Sequence, residues 1–442
     1  MKFIDLFAGL GGFHVAMSRL GHECVFSSEI KEGLMDLYES NFGIRPHGDI
    51  RKVKSRDIPA HDILCAGFPC QPFSKAGMQL GLEDETNGDL FGQILRILRY
   101  HQPRYFILEN VQHLAKHDNQ ETYIYMSARL AGLGYKVDRK VLSPHHFDIP
   151  QHRQRLFIVG CRNGLEHFSW PTPQVLTRDV NSYLDLNNSG VTLLEAEKQK
   201  CLDIWQEFIS AIPVDDKLPS FPIWAMEFGA TYPFEEETPF ASSDNMLGRS
   251  RGNFGIALKG LSRDEKFANL PSYARTEEKK FPTWKRSYIR SNREFYEKYK
   301  KQLKPIVKKI ELLGVPSWQK FEWNIQGGER YVRNYIIQFR GSGIRLKRTD
   351  FFPSLVCVST QIPIVGWQGR YITKREGARL QGLGSLKKLP ENIGTCFDAL
   401  GNAVNADVVR IIAERLILNE KAKTKTNAKH LVSHVMELHE AV

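Results

Sequence analysis

Over the first third of the chain, short apolar runs alternate with longer stretches of helical period. Phe3-Ile4-Asp5-Leu6-Phe7, Cys24 to Ser28, His61-Asp62-Ile63-Leu64-Cys65 and Tyr105-Phe106-Ile107-Leu108 are such runs. Unalternating runs of this length fit strands buried on both faces. Between them, Phe13 to Leu20 reads as a helix, as do the stretches through Leu34, Leu37 and Tyr38 and through Tyr123, Met126 and Leu130. Leu90 to Tyr100 sets Phe91, Ile94, Leu95 and Leu98 on one helical face. Further strands are predicted at Lys136 to Leu142 and Leu156 to Val159. This alternation predicts an α/β fold with a doubly wound, mostly parallel sheet.

After Cys161 the rhythm stops. Residues 163–344 mix one helical stretch (Leu193 to Ile209), an acidic patch (Glu235 to Glu237), Gly/Asn-rich loops and a basic helical stretch, Lys285 to Lys309. They predict a second, irregular domain. A short helix through Arg375, Ala378 and Arg379 follows, then a closing helix from Phe397 to Leu416. The expected division is 1–162 for the α/β domain, 163–388 for the second domain with the element after it, 389–420 for a helix returning to the first domain, and 421–442 for a basic, flexible tail.

Composition narrows the class. A chain of 442 residues with 42% hydrophobic and 25% charged content can bury a large core, and it holds no run of 18 apolar residues to span a membrane. Its start reads as a strand and not as a secretory leader. Seven cysteines without regular spacing or a CxxC pair point to a reducing compartment, with no disulfide framework and no metal site. The net charge of +11 favours a polyanionic partner, nucleic acid first. That charge is uneven: Lys285 to Arg348 holds 17 Lys and Arg against 5 Asp and Glu, an excess larger than the net charge of the whole chain. Tyr288, Phe295, Tyr296 and Tyr299 interleave with these cations. The arrangement suits phosphates and bases, and equally a solvated helix packed through its tyrosines.

The candidate chemistry sits where predicted strands end. Ala8-Gly9-Leu10-Gly11-Gly12 is a turn with Glu29 twenty positions after its first glycine. Glycines admit close approach of backbone to a nucleotide, and the carboxylate takes ribose hydroxyls. The GxGG spacing is not GxGxxG, which disfavours a nicotinamide dehydrogenase. In Ala66-Gly67-Phe68-Pro69-Cys70-Gln71-Pro72-Phe73-Ser74, two prolines bracket Cys70 and fix two φ angles. A thiol on a stiffened loop at a strand end is a candidate nucleophile, with an inert structural cysteine as the alternative. Glu109-Asn110 ends another strand, and Arg153 and Arg155, two apart on a further one, share a face.

Together these segments resemble the DNA (cytosine-5)-methyltransferases, in motif and in order. The resemblance rests on Asp5 to Gly12, Gly67 to Ser74, Glu109-Asn110-Val111, Gln151-His152-Arg153-Gln154-Arg155, Arg375 to Leu380 and Gly401-Asn402-Ala403-Val404. It covers about residues 1–162 and 345–418; residues 163–344 correspond only by position to the family's target-recognition region. It implies a Rossmann-like methyltransferase fold that binds S-adenosylmethionine and releases S-adenosylhomocysteine. For this cofactor it carries over Phe7, Gly9 and Gly11 in the first turn, Glu29 on the ribose, Asp49 and Ile50 around the adenine, and Pro69, Leu90, Asn402 and Ala403. Ile30 stands where family members often carry an aromatic residue, so aliphatic contact would replace stacking on the adenine.

The same resemblance makes Cys70 the nucleophile, Glu109 the acid, and Arg153 and Arg155 the guanidiniums that hold the base's carbonyl oxygen, the glutamate or a phosphate. The chemistry explains those residue types. A thiolate adding at C6 of cytosine turns C5 into an enamine carbon, and charge pushed toward N3 calls for an acid there. A base inside a duplex cannot meet Cys70, so it must be flipped out. Ser74 to Asp89 is then a candidate mobile loop over DNA, with Ser74 a DNA contact. Lys285, Arg286, Arg290, Lys300, Lys301 and Lys304 would follow phosphates, and loops between about Ser242 and Lys280 would read bases. The expected protein is a monomeric modification enzyme in the bacterial cytoplasm acting on double-stranded DNA. A cognate restriction endonuclease would act on the same site without a stable complex. The rival readings are a tRNA cytosine-5 methyltransferase and a non-catalytic nucleic-acid-binding protein.

Overall fold

The six predicted strands all form. β1 (Lys2–Leu6), β2 (Glu23–Ser28), β3 (Ile63–Gly67), β4 (Tyr105–Val111), β5 (Lys136–Leu142) and β6 (Arg155–Cys161) form one sheet in the computed structural model of the chain, which describes residues 1–69, 90–115, 120–173, 179–185 and 190–417. The strand order is β2-β1-β3-β4-β6-β5. β1 to β4 pair parallel, while β6 runs antiparallel to both of its neighbours. Ile63 to Ala66 and Tyr105 to Leu108 are fully buried, as expected of strands covered on both faces.

On one face, Phe91, Ile94 and Leu98 of α3 (Leu90–His101) and Met126 and Leu130 of α4 (Glu121–Gly132) pack with Leu6, Leu64, Phe106 and Leu108. Two further helices, α1 (Gly12–Arg19) and α2 (Glu32–Phe42), meet through the ring of His14, which stacks on Phe42 at 3.9 Å between centroids. β2 and β3 flank β1 on opposite sides. The crossovers therefore diverge at β1 and leave a crevice at the carboxyl ends of these strands.

The chain divides into two compact units. The first combines Met1–Leu186, Asp350–Ser359 and Lys374–Val442; the second is Asn187–Thr349 with Thr360–Thr373. The boundaries expected at 163 and 388 differ because both flanking segments are bonded into the first unit. Arg379 of the helix Lys374–Leu380 donates to Tyr183 O and to the Asp185 carboxylate, and Glu376 accepts the Asp185 amide at 2.8 Å. The returning segment also pairs Phe352–Pro353 with Gln151–His152. The single closing helix expected over Phe397 to Leu416 is two, Ile393–Asn402 and 406–417. The first ends at Ala403, and Asn405 caps the second: its Oδ1 accepts the Val408 amide while its Nδ2 donates to Leu380 O. The basic tail lies outside the described residues.

The second unit is more regular than its sequence suggests. β7 (Ile223–Trp224), β8 (Lys320–Glu322), β9 (Ile336–Arg340), β10 (Gly343–Lys347), β11 (Ile364–Val365) and β12 (Arg370–Tyr371) make a sheet in the order β12-β11-β9-β10-β8-β7. Every pairing is antiparallel except β8 with β10. The two longest of its helices among the described residues are α5 (Ala196–Ser210) and α6 (Thr283–Glu311). Trp205 of α5 is fully buried and stacks on Phe321 at 4.7 Å. Among the described residues, no helix is long and apolar enough to cross a membrane.

Candidate active site

The ends of β1, β2, β3 and β4 open on a cavity of about 480 Å³ within the first unit. Past β1 the chain turns through two left-handed residues, Phe7 (φ 58°) and Gly9 (φ 53°). Both line the cavity, and the Gly9 amide donates to Glu29 Oε2 at 2.9 Å. Glu29 Oε1 accepts the amides of Ile30 and Lys31 at 3.0 and 2.9 Å. The carboxylate past β2 is therefore fixed on the wall by three backbone donors. Ile30 is 65% exposed at the mouth. Asp49 and Ile50 line the next stretch, and Asp49 caps the turn Ile50–Lys52 while both its oxygens bond Arg51. That guanidinium holds the Asp49 carboxyl below its ordinary range.

Leu90 and Pro69 supply one side of the cavity, Asn402 and Ala403 another. The latter segment comes close because residue 12 has no side chain: a Cβ there would stand 2.5 Å from Val404 O. Gly11 is placed differently from expectation. It is absent from the cavity wall; its φ is 80°, and a Cβ would lie 2.4 Å from the Phe42 ring. Gly11 serves the packing of α1 on α2.

At the deep end, Glu109 is 7% exposed and lines the cavity with Arg153 and Arg155. Arg155 Nε lies 3.1 Å from Glu109 Oε1, yet that oxygen accepts no hydrogen bond. Burial raises the Glu109 carboxyl above its usual value, and the charges of Arg155 and Arg153 pull it partly back.

The two arginines are not equivalent. Arg153 is 2% exposed and donates to Gly401 O (2.7 Å), Ala403 O (2.9 Å), Leu355 O (3.2 Å) and Ser354 Oγ (3.3 Å). The structure thus gives Arg153 a tethering part, holding the 401–403 wall. Arg155 faces the carboxylate. Asn110 is a contributor that sequence reasoning passed over, although its motif was in view: its Nδ2 donates to Phe68 O at 3.0 Å and its Oδ1 accepts the Val111 amide at 2.7 Å. It ties the stem of the proline-bracketed loop to the end of β4. Cys70, Ser74 and the loop from Ser74 to Asp89 lie outside the described residues. No group of three or more His, Cys, Asp or Glu among the described residues could hold a metal ion.

The basic helix departs from expectation. Arg290 of α6 is chelated by Glu235 at 2.7 Å through both Nε and Nη2, and Arg286 donates to Glu235 O. Lys285 donates to Tyr273 O and lies over the Phe281 ring, and Lys300 pairs with Glu297 at 2.9 Å. Lys301 and Lys304 are exposed. Two tyrosines of α6 go inward: Tyr296 stacks on Phe228 at 4.9 Å, and the Tyr299 hydroxyl donates to Asp216 at 2.8 Å. They pack the unit, and the cations expected to follow phosphates are mostly satisfied within it.

Comparison with known proteins agrees with this geometry. Residues 1–219 match the family model described as C-5 cytosine-specific DNA methylase. Type II methyltransferase M.MspI of Moraxella sp. is 43% identical over 194 residues, covering 44% of this chain and 46% of its own length. Type II methyltransferase M.NgoBI of Neisseria gonorrhoeae is 48% identical over 230 residues, covering 48% of this chain and 72% of its own. The chain spans about half the length of several such relatives. A solved prophage-encoded protein of E. coli, described as a candidate DNA modification methyltransferase, covers 95% of this chain and 99% of its own at a TM-score of 0.52 and 17% identity, which is a likeness of fold.

Proposed function

Because this chain belongs to the C-5 cytosine-specific DNA methylases, we propose that it transfers a methyl group from S-adenosylmethionine to carbon 5 of a cytosine flipped out of double-stranded DNA. The observation that carries the reading is Glu109: a buried carboxyl on the cavity wall, with raised proton affinity and an oxygen that accepts no hydrogen bond. Such a group is suited to meet a polar edge of a base.

The cavity suits the cofactor. Glu29, fixed by three amides, presents a carboxylate for a ribose diol; Ile30, Ile50 and Leu90 offer aliphatic surface to an adenine; Gly9 leaves open space, with no atom within 4 Å of the point where a Cβ would stand. When bound, the cofactor supplies an electrophilic methyl on a sulfonium. The residues of the chain prepare the base. Cys70 follows directly on Pro69, and its thiolate would add at C6, forming a carbon–sulfur bond and leaving C5 as the nucleophilic carbon. Glu109 would give a proton to N3 as charge builds there, and Arg155 would orient that carboxyl. After transfer, loss of the C5 proton to a base, return of the N3 proton to Glu109 and release of the thiolate would restore the aromatic ring. By kinship with the Type II methyltransferases, the protein would be the modification enzyme of a restriction system, working as a cytoplasmic monomer beside an endonuclease of the same site.

Bisulfite sequencing of DNA from a methylation-free host expressing the chain tests activity, substrate and site together. One cytosine position should be protected within a defined sequence. The Cys70→Ala chain should leave all cytosines convertible while still binding cofactor. Protection that survives this substitution would overturn the nucleophile assignment; methyl incorporation into tRNA and not DNA would overturn the substrate.

A further inference from the structure

The positive charge between Lys285 and Arg348 forms two populations in the second unit. On α6, Arg290, Lys298, Lys300 and Lys309 each face a carboxylate, those of Glu235, Asp216, Glu297 and Glu207. On the sheet the balance is different. The strand registers place Arg340 opposite Gly343, and set Gln338, Arg345 and Glu322 side by side. Side chains alternate along a strand, so Lys320, Glu322, Arg340, Arg345 and Lys347 share one face. Phe321, Ile337, Phe339, Ile344 and Leu346 take the other, and all are buried.

One face thus carries four half-buried cations against one carboxylate. Glu322 is taken by Arg345 at 2.5 Å. The Lys320 ammonium lies 5.1 Å from the centroid of the Tyr273 ring. Among the described residues, Arg340 and Lys347 have no hydrogen-bond or ion-pair partner. The position between Arg340 and Lys320 is a glycine, Gly343, where a Cβ would stand 2.8 Å from Lys320 Cβ. Burial lowers the proton affinity of Arg340 and Lys347, and the neighbouring charge of Arg345 lowers it further. Like charges crowded and half out of water oppose folding unless an anion answers them.

We propose that this face of the sheet binds the sugar–phosphate backbone of duplex DNA, with Arg340 and Lys347 as its phosphate contacts. The inference rests on DNA being the substrate. It identifies a surface other than the basic helix, where Arg290, Lys298, Lys300 and Lys309 already face carboxylates. Charge complementarity selects the occupant. Phosphates are favoured over base edges because Lys347 is a point charge without a planar fork, and a patch of one sign does not discriminate among bases.

The test uses the full chain with Arg340→Gln and Lys347→Gln combined, binding two unrelated duplexes over a range of salt. The slope of log affinity against log salt should flatten by roughly 0.9 for each phosphate no longer neutralised, equally for both duplexes. The combination Arg340→Lys with Lys347→Arg, which keeps both charges, should retain the wild-type slope. An unchanged slope in the glutamine pair sinks the proposal. Equal flattening in the charge-keeping pair does so too, because packing and not charge would then be responsible. A shift in the methylated sequence would make these residues base readers and overturn the phosphate assignment. Methyl transfer by the wild type is measured on the same duplexes. Active protein with an unresponsive slope refutes this face; inactive protein with a responsive slope refutes the proposed reaction and leaves the face standing.

Discussion

Glu109 is held between burial, which favours its acid form, and two guanidiniums, which favour its anion. A carboxyl whose proton affinity burial has raised is suited to hand a proton to a base. Glu109→Gln keeps the shape and loses the proton, so turnover should fall by about 10²–10⁴-fold, the usual worth of general acid–base help. Tritiated methyl incorporation at saturating cofactor checks it, and a loss under tenfold would point to another acid. Arg153 predicts a different phenotype. Its Ala variant would strand the carbonyls of Gly401, Ala403 and Leu355, each costing on the order of 1–3 kcal/mol when left unsatisfied. A lowered melting temperature should therefore accompany lost activity, whereas Arg155→Ala should lose activity with little change in melting. That Glu109, Arg153 and Arg155 gather on one cavity wall was legible because they fall at strand ends. The separate parts of Arg153 and Arg155 were not. Spacing puts two side chains on one face but does not name their partners, and those of Arg153 lie some 200 to 250 positions away in sequence.

At the scale of elements, the first sheet could be read because its central strands are apolar on both faces, a pattern that survives without partners. The second sheet could not. β7, β11 and β12 are two residues long and β8 is three, shorter than any hydrophobic period. The closing helix was misread because helical periodicity runs on through residues 403–405, and a capping asparagine is a weak signal inside an apolar stretch. The packing of α1 against that break supports a further prediction. Gly12→Ala places a methyl 2.5 Å from Val404 O and should push back the wall formed by Asn402 and Ala403. Cofactor affinity should weaken about tenfold, the equivalent of ~1.4 kcal/mol. Isothermal titration with S-adenosylhomocysteine measures it, and unaltered affinity would show that the wall yields elsewhere.

For the molecule as a whole, His14 and His61 couple folding to acidity. Burial depresses each to about 4 from an ordinary value of 6.5. Their stabilising contribution is complete above pH 6.5 and is lost as pH falls from there toward 4, because the unfolded chain binds the protons first. Each should cost on the order of 2 kcal/mol at pH 5 relative to pH 7. Melting temperature should drop over that range, and His14→Phe, which can keep the stack on Phe42, should lessen the drop. A pH-independent difference between the two proteins would refute the coupling.

The first unit is built from three separate lengths of chain, and this bears on its synthesis. β6 ends at Cys161, but the wall that completes the cavity is at 399–404. At about 5–20 residues per second, the ribosome needs roughly 12–50 seconds to cover that distance. Over that interval the sheet has left the exit tunnel with an open side, and the second unit is made in full before the first can close. The nascent chain therefore cannot shape the cofactor cavity until residues 399–404 have been translated.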